Sequence, residues 1–184
     1  MGHKFFGWLF YKVCGWSKKV NVDIPDKGIL CVAPHTSNWD FVWGQMFMRA
    51  ERMKAGFLMK KEWFFWPLGP IFRSWGGVPV ERNSKHSLTE QMTQKLKEAD
   101  HLLLCVTPEG TRRRTARWKR GFYYMALNAN VPILLFGIDY ERKLVECSKV
   151  FIPTGDVEND MKEIKQYFAP FKGKYPEQFT TENE

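Results

Sequence analysis

The strongest constraint on this chain is a set of apolar runs too short to be buried helices. They are Ile29 to Ala33, Gly56 to Met59, Gly77 to Val80, Leu102 to Val106 and Pro132 to Ile138. Each has the length of a strand covered on both faces. Helical patterns fall between them, over Phe41 to Lys54, Ser87 to Ala99 and Trp118 to Asn128. The second opens with S-L-T-E, a capping box in which the serine and glutamate side chains satisfy each other's backbone N–H. Lys143 to Ile152 reads as a further strand and Val157 to Phe168 as a late helix. Strands alternating with helices predict an α/β fold: a single domain with a mixed, mainly parallel sheet flanked by helices. The 184 residues contain no repeat, low-complexity tract or linker, so one core suffices. The expected organisation is an N-terminal amphipathic helix over residues 1–20, the domain proper over 21–170, and a polar, loosely held tail over 171–184.

Charge and aromatic content narrow the partners. A net charge of +8 points to an anionic partner such as nucleic acid, an acidic membrane surface or a phosphorylated ligand. Aromatics make up 16% of the chain, and such a mixture of rings and cations suits a lipid interface better than a DNA groove. No nucleic-acid motif accompanies the cations, so nucleic acid is not an expected partner. Cys14, Cys31, Cys105 and Cys147 are scattered without a C-x-x-C pair. That spacing indicates neither a zinc site nor a redox motif and fits a reducing compartment.

No apolar run reaches the ~20 residues a transmembrane helix needs. The opening MGHKFFGWLFYKVCGWSKKV reads either as a helix lying in the headgroup layer or as one packed on the domain. It lacks the cleavage site of a signal peptide. The segment WFFWPLGPIFRSW, residues 63–75, follows Lys60 and Lys61, and its cluster of rings reads as a lipid interface, with core packing the alternative for any one of them.

Three chemically capable stretches follow directly on apolar runs, where open α/β sheets place their ligands. The first is HTSNWD, beginning at His35. Residues five apart on a helix are about 140° out of phase. His35 and Asp40 can therefore meet only if His35 precedes the helix and Asp40 lies in its first turn. Ser37 and Asn38 are both suitable caps for such a start. A carboxylate on one ring nitrogen leaves the other free to accept a proton, and an imidazole of ordinary pKa near ~6.5 is a base near neutrality. A capped helix start with a surface histidine is the alternative on this segment alone. No G-x-S-x-G elbow is present and Cys31 falls inside the apolar run, where free thiols are usually buried, so any proton His35 removes is expected to come from a substrate hydroxyl.

The second stretch is GGVPVER, which ends in Arg82, a bidentate phosphate ligand or a surface ion pair. The third is PEGTRRRTARWKRG, residues 108–121, with one acid, Glu109, and six cations. Cations so dense repel one another unless an anion joins them, although a solvated basic face is the plainer reading.

Taken in order, these stretches resemble the lysophospholipid acyltransferase family, the relatives of 1-acylglycerol-3-phosphate acyltransferase. The resemblance rests on H-x-x-x-x-D at His35 to Asp40, Gly-Gly to arginine at Gly76 to Arg82, P-E-G-T-R at Pro108 to Arg112, and V-P at Val131 and Pro132. It implies an α/β domain seated peripherally on the cytoplasmic side of a membrane, without a transmembrane helix. It also implies that His35 is the general base, oriented by Asp40. Arg82 would bind the acceptor phosphate, with Glu109, Gly110, Thr111 and Arg112 completing the substrate site and an N–H near Gly110 aiding the oxyanion. The co-substrates would be a lysolipid and an acyl-CoA or acyl carrier protein thioester, with no metal or bound cofactor. Pro34 stands where many members have asparagine, and Arg113 and Arg114 where a small or polar residue is common. These departures bear on the acceptor. Lysophosphatidic acid is the first expectation, a lyso-ornithine or lyso-glycine lipid the alternative, and a non-catalytic lipid-binding protein the competing class.

Overall fold

The computed structural model describes residues 2–80 and 87–182. Its centre is a sheet with strand order β1-β7-β6-β2-β5-β3-β4. The strands are β1 (Ser17–Val20), β2 (Lys27–Ala33), β3 (Ala55–Lys60), β4 (Gly77–Val80), β5 (Leu102–Val106), β6 (Ile133–Asp139), β7 (Leu144–Cys147) and β8 (Val150–Phe151). Neighbours from β4 across to β6 are parallel. β6 meets β7 and β8 antiparallel, and β1 joins β7 parallel, so the sheet is mixed and mainly parallel as expected. The apolar runs at 29, 56, 77, 102 and 132 are β2 to β6.

Alternation along the strands feeds two cores. Ile29, Cys31, Leu104, Ile133 and Leu135 face α4 (Leu88–Glu98), α5 (Gly121–Ala129) and α6 (Val157–Phe168). Leu30, Leu103, Leu134 and Phe136 face the other way, onto Phe10, Trp16 and Phe47 of α2 (Trp39–Ala50). The predicted capping box at α4 forms: Ser87 Oγ accepts from Glu90 N and Glu90 Oε2 from Ser87 N.

Four expectations change in detail. The strand read over 143–152 is two strands. Gly137 pairs with Glu146 but Ile133 with Phe151, so one extra residue sits between β7 and β8 as a bulge. The helix expected from Trp118 starts at Gly121, because Lys119 spends its N–H on Pro108 O (2.7 Å) and Trp118 is buried in the approach to it. At the N-terminus, α1 (Gly2–Gly7) runs into a wider turn over Trp8–Val13 and then into β1. Phe10 is fully buried there against Trp16 and Phe47, whereas Phe5, Trp8 and Val13 stay exposed. The segment thus packs on the domain with one face and presents the other.

The tail is not loosely held. Phe171 is 4% exposed and lies against Gly137 of β6, where any Cβ would collide with its ring. Trp118 Nε1 donates to Thr180 O, and the Lys165 ammonium donates to Ala116 O and Glu182 O. Polar composition hid these few anchors. Among the described residues, no helix is long and apolar enough to cross a membrane.

Candidate active site

β2 is the middle strand of the order β1-β7-β6-β2-β5-β3-β4, with parallel neighbours on both sides, and the chain leaving its carboxyl end carries the first motif. A cis peptide joins Ala33 to Pro34, and His35 follows in the turn before α2. Asp40 occupies the first helical turn, 5% exposed, and reaches back as the spacing requires. Its Oδ2 lies 3.0 Å from His35 Nδ1 and accepts the backbone N–H groups of Thr36 and Ser37, each at 2.8 Å. The side chains of Ser37 and Asn38 do not cap the helix as expected. Among the described residues, Ser37 Oγ accepts from Trp39 N alone, and Asp40 satisfies the loop from inside the helix. Nδ1–H donating to Asp40 leaves Nε2 as the acceptor.

Tyr140 completes the carboxylate's shell. It follows β6, and its hydroxyl donates to Asp40 Oδ1 at 2.6 Å. Burial first, and then this bond to the carboxylate, push the Tyr140 phenol well above its ordinary range. Asp40 therefore accepts four donors and has little freedom to leave His35. No motif or periodicity marks Tyr140, which lies a hundred residues away in the chain. The tail holds the same loop from outside. Tyr175 N donates to Thr36 Oγ1 (3.2 Å), and the Lys174 ammonium lies 5.1 Å from the centre of the Trp39 ring.

The 108–112 turn leaves β5, the neighbour of β2, and so arrives at the same edge. Glu109 is 5% exposed. Its Oε1 accepts the His35 backbone N–H at 2.7 Å, while Oε2 has no partner among the described residues. Desolvation raises the Glu109 carboxyl to about 7, against the hydrogen bonds that lower it. Gly110 adopts φ +63°, where a side chain would be strained and would crowd the Lys119 side chain. Its N–H donates to Thr107 O at 3.2 Å, so this N–H is already engaged in the turn rather than turned toward an oxyanion.

His35 stands at the junction of two spaces of opposite character. On one side is a mostly apolar cavity of about 610 Å³, with Leu30, Phe47, Met48, Phe57 and Phe136 in its wall. On the other is a polar pocket of about 480 Å³ lined by His35, Thr107, Gly110, Thr111, Arg112 and Arg113. The structure thus brings His35, Asp40, Glu109, Gly110, Thr111 and Arg112 to one edge, while Arg82 lies outside the described residues. Such an arrangement can deprotonate a hydroxyl at the meeting point of an apolar chain and an anionic group. Among the described residues, no three His, Cys, Asp or Glu side chains converge as a metal-binding set.

Among solved structures, the chain is similar to the crystal structure of the 1-acyl-sn-glycerophosphate (LPA) acyltransferase PlsC from Thermotoga maritima. The TM-score is 0.60 and the identity 21%, covering 92% of this chain and 74% of that one, which establishes a shared fold. No curated protein matches the chain. The model of the family described as Acyltransferase matches residues 18–138, which run from β1 to the end of β6 and include both the histidine–aspartate turn and the 108–112 turn. A match over most of the chain, with these two turns meeting at one sheet edge inside it, places this chain in the acyltransferase family.

Proposed function

We propose that this acyltransferase moves a fatty acyl group from a thioester, acyl-CoA or acyl carrier protein, to the hydroxyl of a lysolipid. The foremost acceptor is 1-acylglycerol-3-phosphate, giving phosphatidic acid. The observation that carries this reading is the position of His35, held by Asp40 and facing both an apolar cavity and an arginine-lined pocket. A lysolipid joins a hydrocarbon chain to an anionic head, and its free hydroxyl lies between them. The fold shared with PlsC, a 1-acyl-sn-glycerophosphate acyltransferase, supports the same acceptor.

In the proposed reaction, His35 Nε2 takes the acceptor's hydroxyl proton as the oxygen attacks the thioester carbonyl. A C–O bond forms and a tetrahedral oxyanion results. Its collapse breaks the C–S bond, and the departing thiolate takes the proton back from the imidazolium. No acyl-enzyme, metal or redox cofactor takes part. Asp40 keeps the tautomer fixed throughout. Arg112 and Thr111, together with Arg82, are assigned to the acceptor's phosphate, and Glu109 holds the His35 loop.

The expected place of action is a lipid surface on the cytoplasmic side of a membrane, and exposed rings support the contact with lipid. Trp39, Phe41 and Val42 on α2, Phe5 on α1, Trp8 in the wider turn that follows it, and Trp63, Phe65, Trp66 and Trp75 around α3 (Leu68–Ser74) are all more than a third exposed. The Arg49 guanidinium lies over both Phe6 and Trp75 and so links two of these groups.

The test is transfer of labelled acyl groups from palmitoyl-CoA to a panel of lysolipids, with products identified by mass spectrometry. His35→Ala is expected to lower kcat by at least about a thousandfold while the protein stays folded. Wild-type rates in His35→Ala would end the general-base assignment. Preference for a lyso-aminolipid would replace the acceptor.

A further inference from the structure

The wall of the apolar cavity contains a polar group that the reaction above does not use. Gln45 lines the cavity, is 7% exposed, and its Nε2 has no hydrogen-bond partner among the described residues. Two other buried side-chain atoms are likewise unpartnered, Thr93 Oγ1 and Glu109 Oε2, but neither residue lines this cavity. Leaving an amide N–H unpaired in an apolar setting is costly, and leucine or methionine would fill the same volume without that cost. The cavity residues nearest along α2, Phe41, Gly44 and Met48, are all apolar or glycine, so the amide stands alone among them.

Its position suggests what it pairs with. Gln45 follows Asp40 by five residues on α2, about 7.5 Å along the helix axis from the carboxylate that holds His35. Its neighbours one turn away on the same stripe fix the surroundings. Phe41 packs edge-on against Phe57 of β3, and Arg49 lies over Trp75 just beyond α3. The amide thus stands in the wall of an apolar space that His35 also lines, with water largely kept from it.

We propose that Gln45 forms a polar subsite within the lipid cavity, donating its amide N–H to an oxygen carried on a substrate hydrocarbon chain near the reacting centre. The inference rests on the lysolipid acyltransferase reading. The oxygen can come from either substrate: the ester carbonyl on the acceptor's existing chain, or a hydroxyl on the donor's acyl chain.

Binding measured without turnover separates these sources. In the His35→Ala background, calorimetry compares 1-acyl with 1-O-alkyl lysophosphatidate, which lacks the carbonyl, and 3-hydroxypalmitoyl-CoA with palmitoyl-CoA. One of the two pairs is expected to favour the oxygen-bearing ligand about fivefold to tenfold, the worth of one net hydrogen bond. Adding Gln45→Leu, with Gln45→Met as a second variant, should bring that ratio close to one. The acceptor pair responding identifies the ester carbonyl, and the donor pair a chain hydroxyl. Ratios within about twofold in both pairs, or a preference that survives both substitutions, overturn the subsite. A preference in binding without any acyl transfer by the wild-type protein leaves the subsite standing and sinks the reaction instead.

Discussion

Replacing Tyr140 with phenylalanine removes one oxygen and leaves the ring, so it isolates the bond to Asp40 Oδ1 (2.6 Å). A hydrogen bond to an ionised acceptor is worth about 1.5–3 kcal/mol. Tyr140 is only partly buried, so water can replace part of the loss, and the lower end, about 1.5 kcal/mol, applies. For a chain of this length, that predicts a fall in Tm of about 3–6 °C. The phenol's pKa is raised in the folded protein, so its contribution is complete below its unfolded value near ~10 and fades only as pH rises beyond it. Melts at pH 7–8 therefore report the whole effect. A double-mutant cycle with Asp40→Asn should give a coupling of about 1 kcal/mol, because the two groups share one bond. The same substitution should lower kcat more than it raises KM, since it loosens the support of His35 and not the lipid cavity. A Tm within about 1 °C of wild type and additive single-mutant effects would refute this account.

Two further perturbations test the burial of Glu109 and of the tail. Glu109 titrates near 7 in the fold against an ordinary 4.5, so the unfolded chain binds fewer protons between those values and stability falls as pH rises from about 4.5 to about 7. Glu109→Gln keeps an oxygen for the His35 N–H, and it should flatten that slope and raise stability at pH 8 by up to about 3 kcal/mol, as read by urea titration at several pH values. An unchanged slope would show that the carboxyl is not the titrating group. Phe171→Ala removes a ring that is 4% exposed and should cost about 3–5 kcal/mol in the same assay; a cost below about 0.5 kcal/mol would return the tail to a loose appendage.

Strands β2 to β6, their order along the chain and the start of α4 were legible in the sequence because each depends on neighbours within a few residues, whereas β1 fell inside the stretch read as a helix over residues 1–20. Apolar runs must be covered, and Ser87 and Glu90 reach each other within one turn. The geometry at HTSNWD was legible for the same reason. A five-residue spacing allows contact only across a helix start, and the structure places His35 and Asp40 that way. What the sequence left undetermined depends on distance in the chain. Tyr140 bonds Asp40 across a hundred residues, and Glu109 accepts the His35 N–H across 74. Tyr175 reaches Thr36 across 139. Such contacts follow from which strands lie side by side and where the tail returns, and no local pattern records either. The unpartnered amide of Gln45 is of the same kind. In the sequence it is one polar residue on a helix, and only the packing of α2 beside β3 and α3 turns it into a donor within an apolar wall. Short-range sterics and burial thus set the elements and the dyad's spacing, whereas tertiary closure decided what surrounds His35 and Asp40, because only closure determines which distant polar groups lose water together.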